Sequence, residues 1–542
     1  MKRIFNWLIL ILAVMLCVWA TFGNVAYPSL ETDKDGFSAF NVRDDLEVIS
    51  REPHSVEHPE NRMKVRDYLI SRLQSMGGEV QVLAFDSVPD KIVGHVNVYD
   101  IYAKFPPADS SDAAYALLMA HYDSRFAQEM LGDTVYSYGA ADDGYGVGVS
   151  LEAVREALTY RNQWKQGVIV MLTDVEETSL TGSRLAIERC RSLFDDVSLV
   201  FNIEARGVRG PALLFETSSG NDRLMELYGE ARYPASYSLT SFIYSILPNF
   251  TDFTNFRESF PGYNFSVIDD VKHYHTHLDA FEYISLRSLQ HYGAQLSPML
   301  KTYLTGEAYA DKDYFRSDAD RIFFTVPLIG LLNFSHTGWM VFNIVFALLL
   351  IVTIWIYWKY QHLDFVQVGK AAGYTMIFMV AASVIGLMVS YVSALVTGQA
   401  FSFTDLRFVA HDNILMLAYL ALCFAIFMFV NRRHPENKAL PVAVALLWTL
   451  LAAIVYFVCG GDNGFVLFPL ALYVLSLALY GRFRWMIFPI LGTIAVSIFA
   501  VSFVYILHTA MTIGALAVVT FVSMVYFSMV FSLWRLLFDN ER

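Results

Sequence analysis

From residue 338 to the C-terminus the chain carries seven apolar runs, near 339–358, 371–395, 413–431, 440–459, 464–481, 485–507 and 511–533, joined by short polar loops. An α-helix needs about 20 apolar residues to cross the hydrocarbon core of a bilayer. In lipid the backbone must satisfy its own hydrogen bonds, so a lone run of this kind is stable there only as a helix. Residues 338–542 are therefore expected to form an all-α, multi-span transmembrane bundle. Composition agrees, with 55% hydrophobic and 17% charged residues, where soluble domains average about 25% charged. An eighth run, residues 4–22, follows Lys2 and Arg3. It is longer than the roughly 7–15-residue core of a cleaved signal peptide. Residues 1–23 are expected to be a retained anchor.

The basic residues test how these spans are threaded. Lys2 and Arg3, Lys359 and Lys370, Arg432, Arg433 and Lys438, Arg482 and Arg484, and Arg535 and Arg542 all fall on one side. The opposite loops after residue 337 hold only Arg407. The positive-inside rule then puts both termini in the cytoplasm and residues 24–337 outside it. The spans are almost free of ionisable groups, with Asp412 and His508 near span ends. Transport pathways place such groups at mid-membrane, so the bundle reads as an anchor, docking surface or oligomerisation module.

Charge separates the two halves. Residues 31–320 carry a net charge of −19, while the whole chain carries −13. So acidic a region excludes nucleic acid as the expected partner and suits one that concentrates cations. Of Cys17, Cys190, Cys423 and Cys459, only Cys190 lies in this region. It cannot form an intradomain disulfide, and no four-cysteine zinc site is available.

Residues 24–337 read as an α/β domain. The segment 62–78 has helical apolar spacing and stops at a Gly pair. Residues 95–105 alternate like a half-buried strand. Residues 114–123 and 167–177 are continuous apolar runs ending in acids and histidine, as buried central strands do when their C-terminal ends carry chemistry. Residues 144–158 read as the helix between them. Strands alternating with helices predict a mainly parallel mixed sheet with helices on both faces.

Five short motifs stand at the ends of these elements: His121-Tyr-Asp123, Asp142-Asp143-Gly144, Glu176-Glu177, Asn202-Ile-Glu204 and His275-Thr-His277-Leu-Asp279. Imidazole nitrogens and carboxylate oxygens are zinc ligands, and a bridging carboxylate can hold two metals about 3.5–4 Å apart. Each motif has a plainer reading. Asp-Asp-Gly is commonly a turn, paired acids commonly start a helix, and His273, His275 and His277 could be a nonspecific metal-binding tract. Glu204 is different, because it follows the apolar strand 198–203, where a carboxylate without a partner is costly.

In order, spacing and local sequence, the five motifs resemble the di-zinc aminopeptidase superfamily of bacterial leucyl-type aminopeptidases, glutamate carboxypeptidases and glutaminyl cyclases. The likeness covers about residues 60–305 and is strongest to the membrane-embedded branch, which includes vacuolar and endoplasmic-reticulum membrane metallopeptidases. The resemblance implies two zinc ions per chain, held by His121, Asp142, Glu177, Glu204 and His275, with Asp142 bridging. It implies Glu176 as general base, Asp123 orienting His121, Asp279 in support and a cis Asp142–Asp143 peptide. Glu204 stands where the soluble enzymes more often have Asp. The implied reaction is hydrolysis of N-terminal residues from a peptide through a metal-bridging hydroxide.

Alternatives within the resemblance are glutaminyl-cyclase-like acyl transfer and a carboxypeptidase or dipeptidase. Outside it stands a non-catalytic, receptor-like ectodomain. Arg206 and Arg209 could grip a substrate carboxylate, although loop ion pairs are the plainer reading. Thr251-Asp252-Phe253 resembles a segment that lines the substrate cleft. Asn249, Asn264 and Asn333 begin glycosylation sequons. A glycan at Asn249 would crowd the expected site, which favours a bacterial inner membrane with the domain facing the periplasm. The expected partners are a peptide substrate and the lipid bilayer.

Overall fold

Apolar runs without alternation fold here into strands buried along their whole length. The structure is a computed structural model describing residues 2–26, 28–30, 35–108, 113–130, 132–246, 249–433 and 439–537. These fall into two units, Val25–Thr325, and Met1–Asn24 with Val326–Arg542.

In the first unit the strands are β1 (Glu79–Asp90), β2 (Gly94–Phe105), β3 (Tyr115–His121), the small hairpin β4 (Gln128–Met130) and β5 (Asp133–Val135), β6 (Gly167–Thr173), β7 (Val197–Ala205), β8 (Arg209–Thr217) and β9 (Gly262–Asp269). Seven of them form one sheet in the order β1-β2-β6-β3-β7-β9-β8. The central strands β6, β3, β7 and β9 are parallel, while β1, β2 and β8 run antiparallel to their neighbours. The sheet is thus mixed with a parallel core. Every residue of β3, β6 and β7 is buried, as expected when helices cover both faces. Leu117, Met119, Ile169 and Met171 share a core with Leu185 and Ala186 of the helix Thr181–Arg189. The helix Gly144–Leu158 packs on β3 and β7.

Local signals account for the helix ends. Gly144–Leu158 has the bounds expected from sequence, and the Asp143 side chain caps its start by accepting from the Gly146 N–H. The helix expected over 62–78 runs Pro59–Ser75. Proline suits its first turn, and Gly77, at φ 84°, takes the left-handed turn that ends it. The two apolar runs end as strands at His121 and Thr173, so their acidic tails lie in loops beyond the sheet.

In the second unit, among the described residues, seven helices are long and apolar enough to cross a membrane: His336–Gln361, Phe365–Thr397, Asp412–Asn431, Leu440–Val458, Gly464–Phe483, Ile487–Ala510 and Ile513–Leu536. The N-terminal run forms the helix Lys2–Thr21, which packs against Ile487–Ala510. Buried polar contacts tie the bundle together. Trp339 Nε1 donates to Asn463 Oδ1 at 2.9 Å, and Asn463 Nδ2 donates to Asn343 Oδ1 at 3.0 Å. Large apolar side chains such as Val396 and Phe457 stand exposed, as lipid-facing positions require. Of the basic residues that set the expected topology, Lys438 and Arg542 lie outside the described residues.

Candidate metal centre

In an open α/β sheet ligands bind beyond the carboxyl ends of the strands. The order β6-β3-β7-β9 makes that edge the meeting point of all five motifs. His121 is the last residue of β3. On one side β6 leads into Glu176 and Glu177, and on the other β7 carries Glu204 near its end. His275 follows β9, and Asp142 sits just before the helix Gly144–Leu158.

Asp142 divides the cluster in two. Its Oδ1 lies 3.3 Å from His121 Nε2, and its Oδ2 lies 3.2 Å from His275 Nε2. Around His121 Nε2 stand Glu204 Oε2 at 3.8 Å and Glu176 Oε2 at 4.0 Å. Glu177 Oε2 stands 3.3 Å from His275 Nε2. One half-site is therefore His121, Asp142 and Glu204, and the other is Asp142, Glu177 and His275. Asp143 also lies within reach of His121 and Glu204. Its oxygens, however, accept from the Gly146 N–H at 3.0 Å and the His121 N–H at 3.3 Å. The Asp142–Asp143 peptide is cis.

The surrounding residues hold these side chains in place. His121 Nδ1 lies 3.0 Å from the Asp123 carbonyl oxygen. A carbonyl only accepts, so Nδ1 carries a proton and Nε2 faces the cluster. The resemblance implies Asp123 in that orienting role; its carbonyl makes the contact, while its carboxylate Oδ1 is 3.6 Å from Nδ1, too long for a hydrogen bond. The carboxylate instead accepts from the N–H groups of Glu176 at 2.9 Å and Glu177 at 3.3 Å. It thereby fixes the turn that presents both acids. Val175, just before them, takes φ 59°, a cost of about 1–3 kcal/mol for a β-branched residue. Asp279 braces the Asp142 loop, accepting from Ala141 N at 2.7 Å, Ser137 Oγ at 3.0 Å and Asp142 N at 3.3 Å. Gly146 is required by space, since a Cβ there would stand 2.3 Å from the Ile203 carbonyl.

The charge balance of the cluster is unfavourable without a cation. Burial, then the neighbouring Glu204 and Glu177, pushes the Glu176 carboxyl well above the usual range. Burial, then Asp252 and Asp142, raises Glu204 to about 8. Burial would lower His121, but Glu176, Asp123 and Asp142 outweigh it and raise the imidazole. Burial also pushes Glu177 up, yet His275 and Arg125 outweigh it and hold that carboxyl below its normal value. Asp142 Oδ2 and Glu177 Oε1 are buried without a hydrogen-bond partner. Buried carboxylates are costly unless paired or bound to metal. Two imidazoles and three carboxylates aimed at two points are a donor set that fits zinc.

The other residues that stand out in the sequence lie elsewhere or have other partners. His273 turns its Nδ1 to the Asp270 carbonyl at 3.1 Å, and His277 is exposed, so only His275 of the three reaches the cluster. Arg209 lies 3.8 Å from Asp270, the plain loop pair. Asp252 is buried, and its Oδ2 accepts from Thr173 Oγ1. Asn264 is buried within β9. Two residues in contact with the cluster have no assigned role in the sequence reading. Arg125 Nη1 donates to Glu177 Oε2 and to the Glu177 carbonyl, both at 2.9 Å. Asn202 Nδ2 donates to Glu204 Oε1 at 3.1 Å. The only signal for Asn202 is its i, i+2 spacing from Glu204 on one strand face, and Arg125 has none.

Residues 100–300 match Peptidase family M28. Over 320 residues the chain is 26% identical to endoplasmic reticulum metallopeptidase 1 of Mus musculus, covering 55% of this chain and 34% of that protein. Over 373 residues it is 24% identical to the vacuolar membrane protease of Schizosaccharomyces pombe, covering 65% of this chain and 41% of that protein. The chain thus spans between about a third and two fifths of the length of these curated relatives. A zinc aminopeptidase of Bacillus subtilis aligns in structure with a TM-score of 0.40 at 13% identity, over 52% of this chain and 98% of that one. All five motifs fall within the matched segment, and over residues 100–300 the chain carries a Peptidase family M28 domain.

Proposed function

We propose that this chain is a multi-pass membrane metallopeptidase that binds two zinc ions and removes N-terminal residues from peptides. The observation that carries the reading is Asp142, whose two oxygens face two different imidazoles at 3.3 and 3.2 Å. His121 and Glu204 complete one set of ligands, and His275 and Glu177 the other. Bound zinc polarises a peptide carbonyl and brings the pKa of a water toward neutrality. Glu176, whose Oε2 stands 4.0 Å from His121 Nε2, is the general base. Its carboxylate takes the proton of the attacking water and returns it to the leaving amine. Asp123 holds Glu176 at that post. The acidic domain, net −19 over residues 31–320, favours substrates that arrive with a free amine.

In this reading residues 1–23 are an anchor, 24–337 the peptidase domain and 338–542 the membrane bundle. The one-sided Lys and Arg residues support a domain outside the cytoplasm, in a bacterial inner membrane facing the periplasm.

The test uses the full chain in detergent. Zinc is quantified, and aminoacyl, N-terminal glutaminyl and N-blocked peptides are offered. The expected result is two zinc per chain and release of N-terminal residues from free-amine peptides alone, lost to a chelator and restored by zinc. Cleavage of blocked peptides would remove the aminopeptidase assignment. Ammonia release from glutaminyl peptides without cleavage would establish acyl transfer instead. Two bound zinc ions with no turnover of any substrate would favour the receptor-like reading.

A further inference from the structure

The two half-sites share Asp142 but are supported by different charges. On the Glu204 side the contact is neutral, the Asn202 amide donating to Oε1 at 3.1 Å. Its imidazole is backed by an acceptor, with His121 Nδ1–H on the Asp123 carbonyl at 3.0 Å, which makes Nε2 more electron-rich. On the Glu177 side the contact is a full positive charge. Arg125 Nη1 stands 2.9 Å from Glu177 Oε2, and the same nitrogen bonds the Glu177 carbonyl at 2.9 Å. The guanidinium is thus anchored at two points, and its side chain is only 21% exposed. It draws electron density from a ligand oxygen and repels a cation at the same place, in a site where little water screens it.

We propose that Arg125 makes the Asp142–Glu177–His275 half-site the weaker, exchangeable zinc site, while the His121–Asp142–Glu204 half-site binds first and holds its ion. The inference rests on the two-zinc reading above. Arg125 is a positioning residue. It keeps Glu177 in the rotamer that faces His275 and lowers the affinity of that half-site by its charge. Occupancy of the second site then follows the supply of free zinc, and full loading becomes conditional on the medium outside the membrane.

The test is a zinc titration of the chelator-stripped full chain in detergent, read by competition with a chromogenic zinc chelator. Wild type is expected to bind zinc in two unequal steps. Glu177→Gln is expected to remove the weaker step and Glu204→Gln the tighter one. Arg125→Gln keeps a donor but loses the charge, and Arg125→Met loses both. Arg125→Gln is expected to tighten the weaker step about tenfold, because it removes a like charge close to the ion, with the tighter step moving less than about twofold. Arg125→Met is expected to tighten it less, because Glu177 is then free to swing. The tighter step reports that Glu177→Gln and both Arg125 variants are folded, and the weaker step does so for Glu204→Gln. Fewer than two zinc ions on wild type would instead sink the two-zinc reading. Two equal steps on wild type, a weaker step that is unchanged or loosened by Arg125→Gln, or equal shifts in both steps would overturn the role of Arg125.

Discussion

The Asp123 carboxylate holds Glu176 by its backbone: Oδ1 accepts the Glu176 N–H at 2.9 Å, while Oδ2 accepts the neighbouring Glu177 N–H at 3.3 Å. Two acids adjacent in sequence are thereby aimed from one turn by one buried carboxylate.

Asp123→Asn replaces one acceptor oxygen by an amide that cannot accept, so one of these two N–H groups loses its partner. The Asp123 carbonyl, which orients His121, is unchanged. Turnover is therefore expected to fall about 10–100-fold, in the range for contacts behind a metal site. Zinc bound through His121 is expected to remain. Steady-state kinetics together with metal analysis checks this, and loss of zinc without loss of turnover in the loaded enzyme would refute it.

Glu176 and Glu177 are expected to separate cleanly. Glu176→Gln abolishes turnover and keeps both zinc ions, because it removes a base. Glu177→Gln loses one zinc equivalent as well, because it removes a ligand. Metal content and activity measured on both variants decide the matter. Equal zinc and equal activity in the two would show the roles misassigned.

Asp100 lies buried behind the cluster, with Oδ1 accepting the Asp174 N–H at 2.9 Å and Oδ2 without a partner. Burial, with the Asp174 carboxylate adding to it, pushes Asp100 well above the usual range. A raised folded-state pKa means that stability present below the unfolded value, about 3.9, is lost as pH rises through the folded value. Asp100→Asn cannot titrate. Its melting temperature is expected to exceed that of wild type by a few degrees at pH 8, with a smaller difference at pH 4. A thermal-shift series across pH reads this directly, and an equal difference at both ends would contradict it.

The charge pattern predicts sidedness independently of the chemistry. A reporter active only in the cytoplasm is expected to be silent when fused after Glu31 and active after Arg542. Both positions lie outside the described residues. The reverse pattern would put the peptidase domain in the cytoplasm and change its substrates to cytosolic peptides.

Much of this protein is encoded locally. Each membrane helix is spelled by its own apolar run, because in lipid a segment must satisfy its backbone by itself. The start of the helix Gly144–Leu158 is readable because its cap, Asp143, is adjacent in sequence. The five motifs are legible because their acids and histidines follow apolar runs at strand ends. The antiparallel direction of β1, β2 and β8 is not so marked, since strand direction is set by pairing partners distant in sequence.

Tertiary structure decided which groups meet. Strand order β6-β3-β7-β9 puts His121 between Glu176 and Glu204, and nothing local to any of the three specifies that order. It also selected His275 over His273 and His277, gave the orienting contact on His121 to the Asp123 carbonyl, and brought Arg125 onto Glu177 and Asn202 onto Glu204. These are contacts of about 3 Å, fixed by rotamers and by the approach of separate strands and loops. A sequence motif names the donors, but their aim depends on backbone positions that only the assembled sheet supplies.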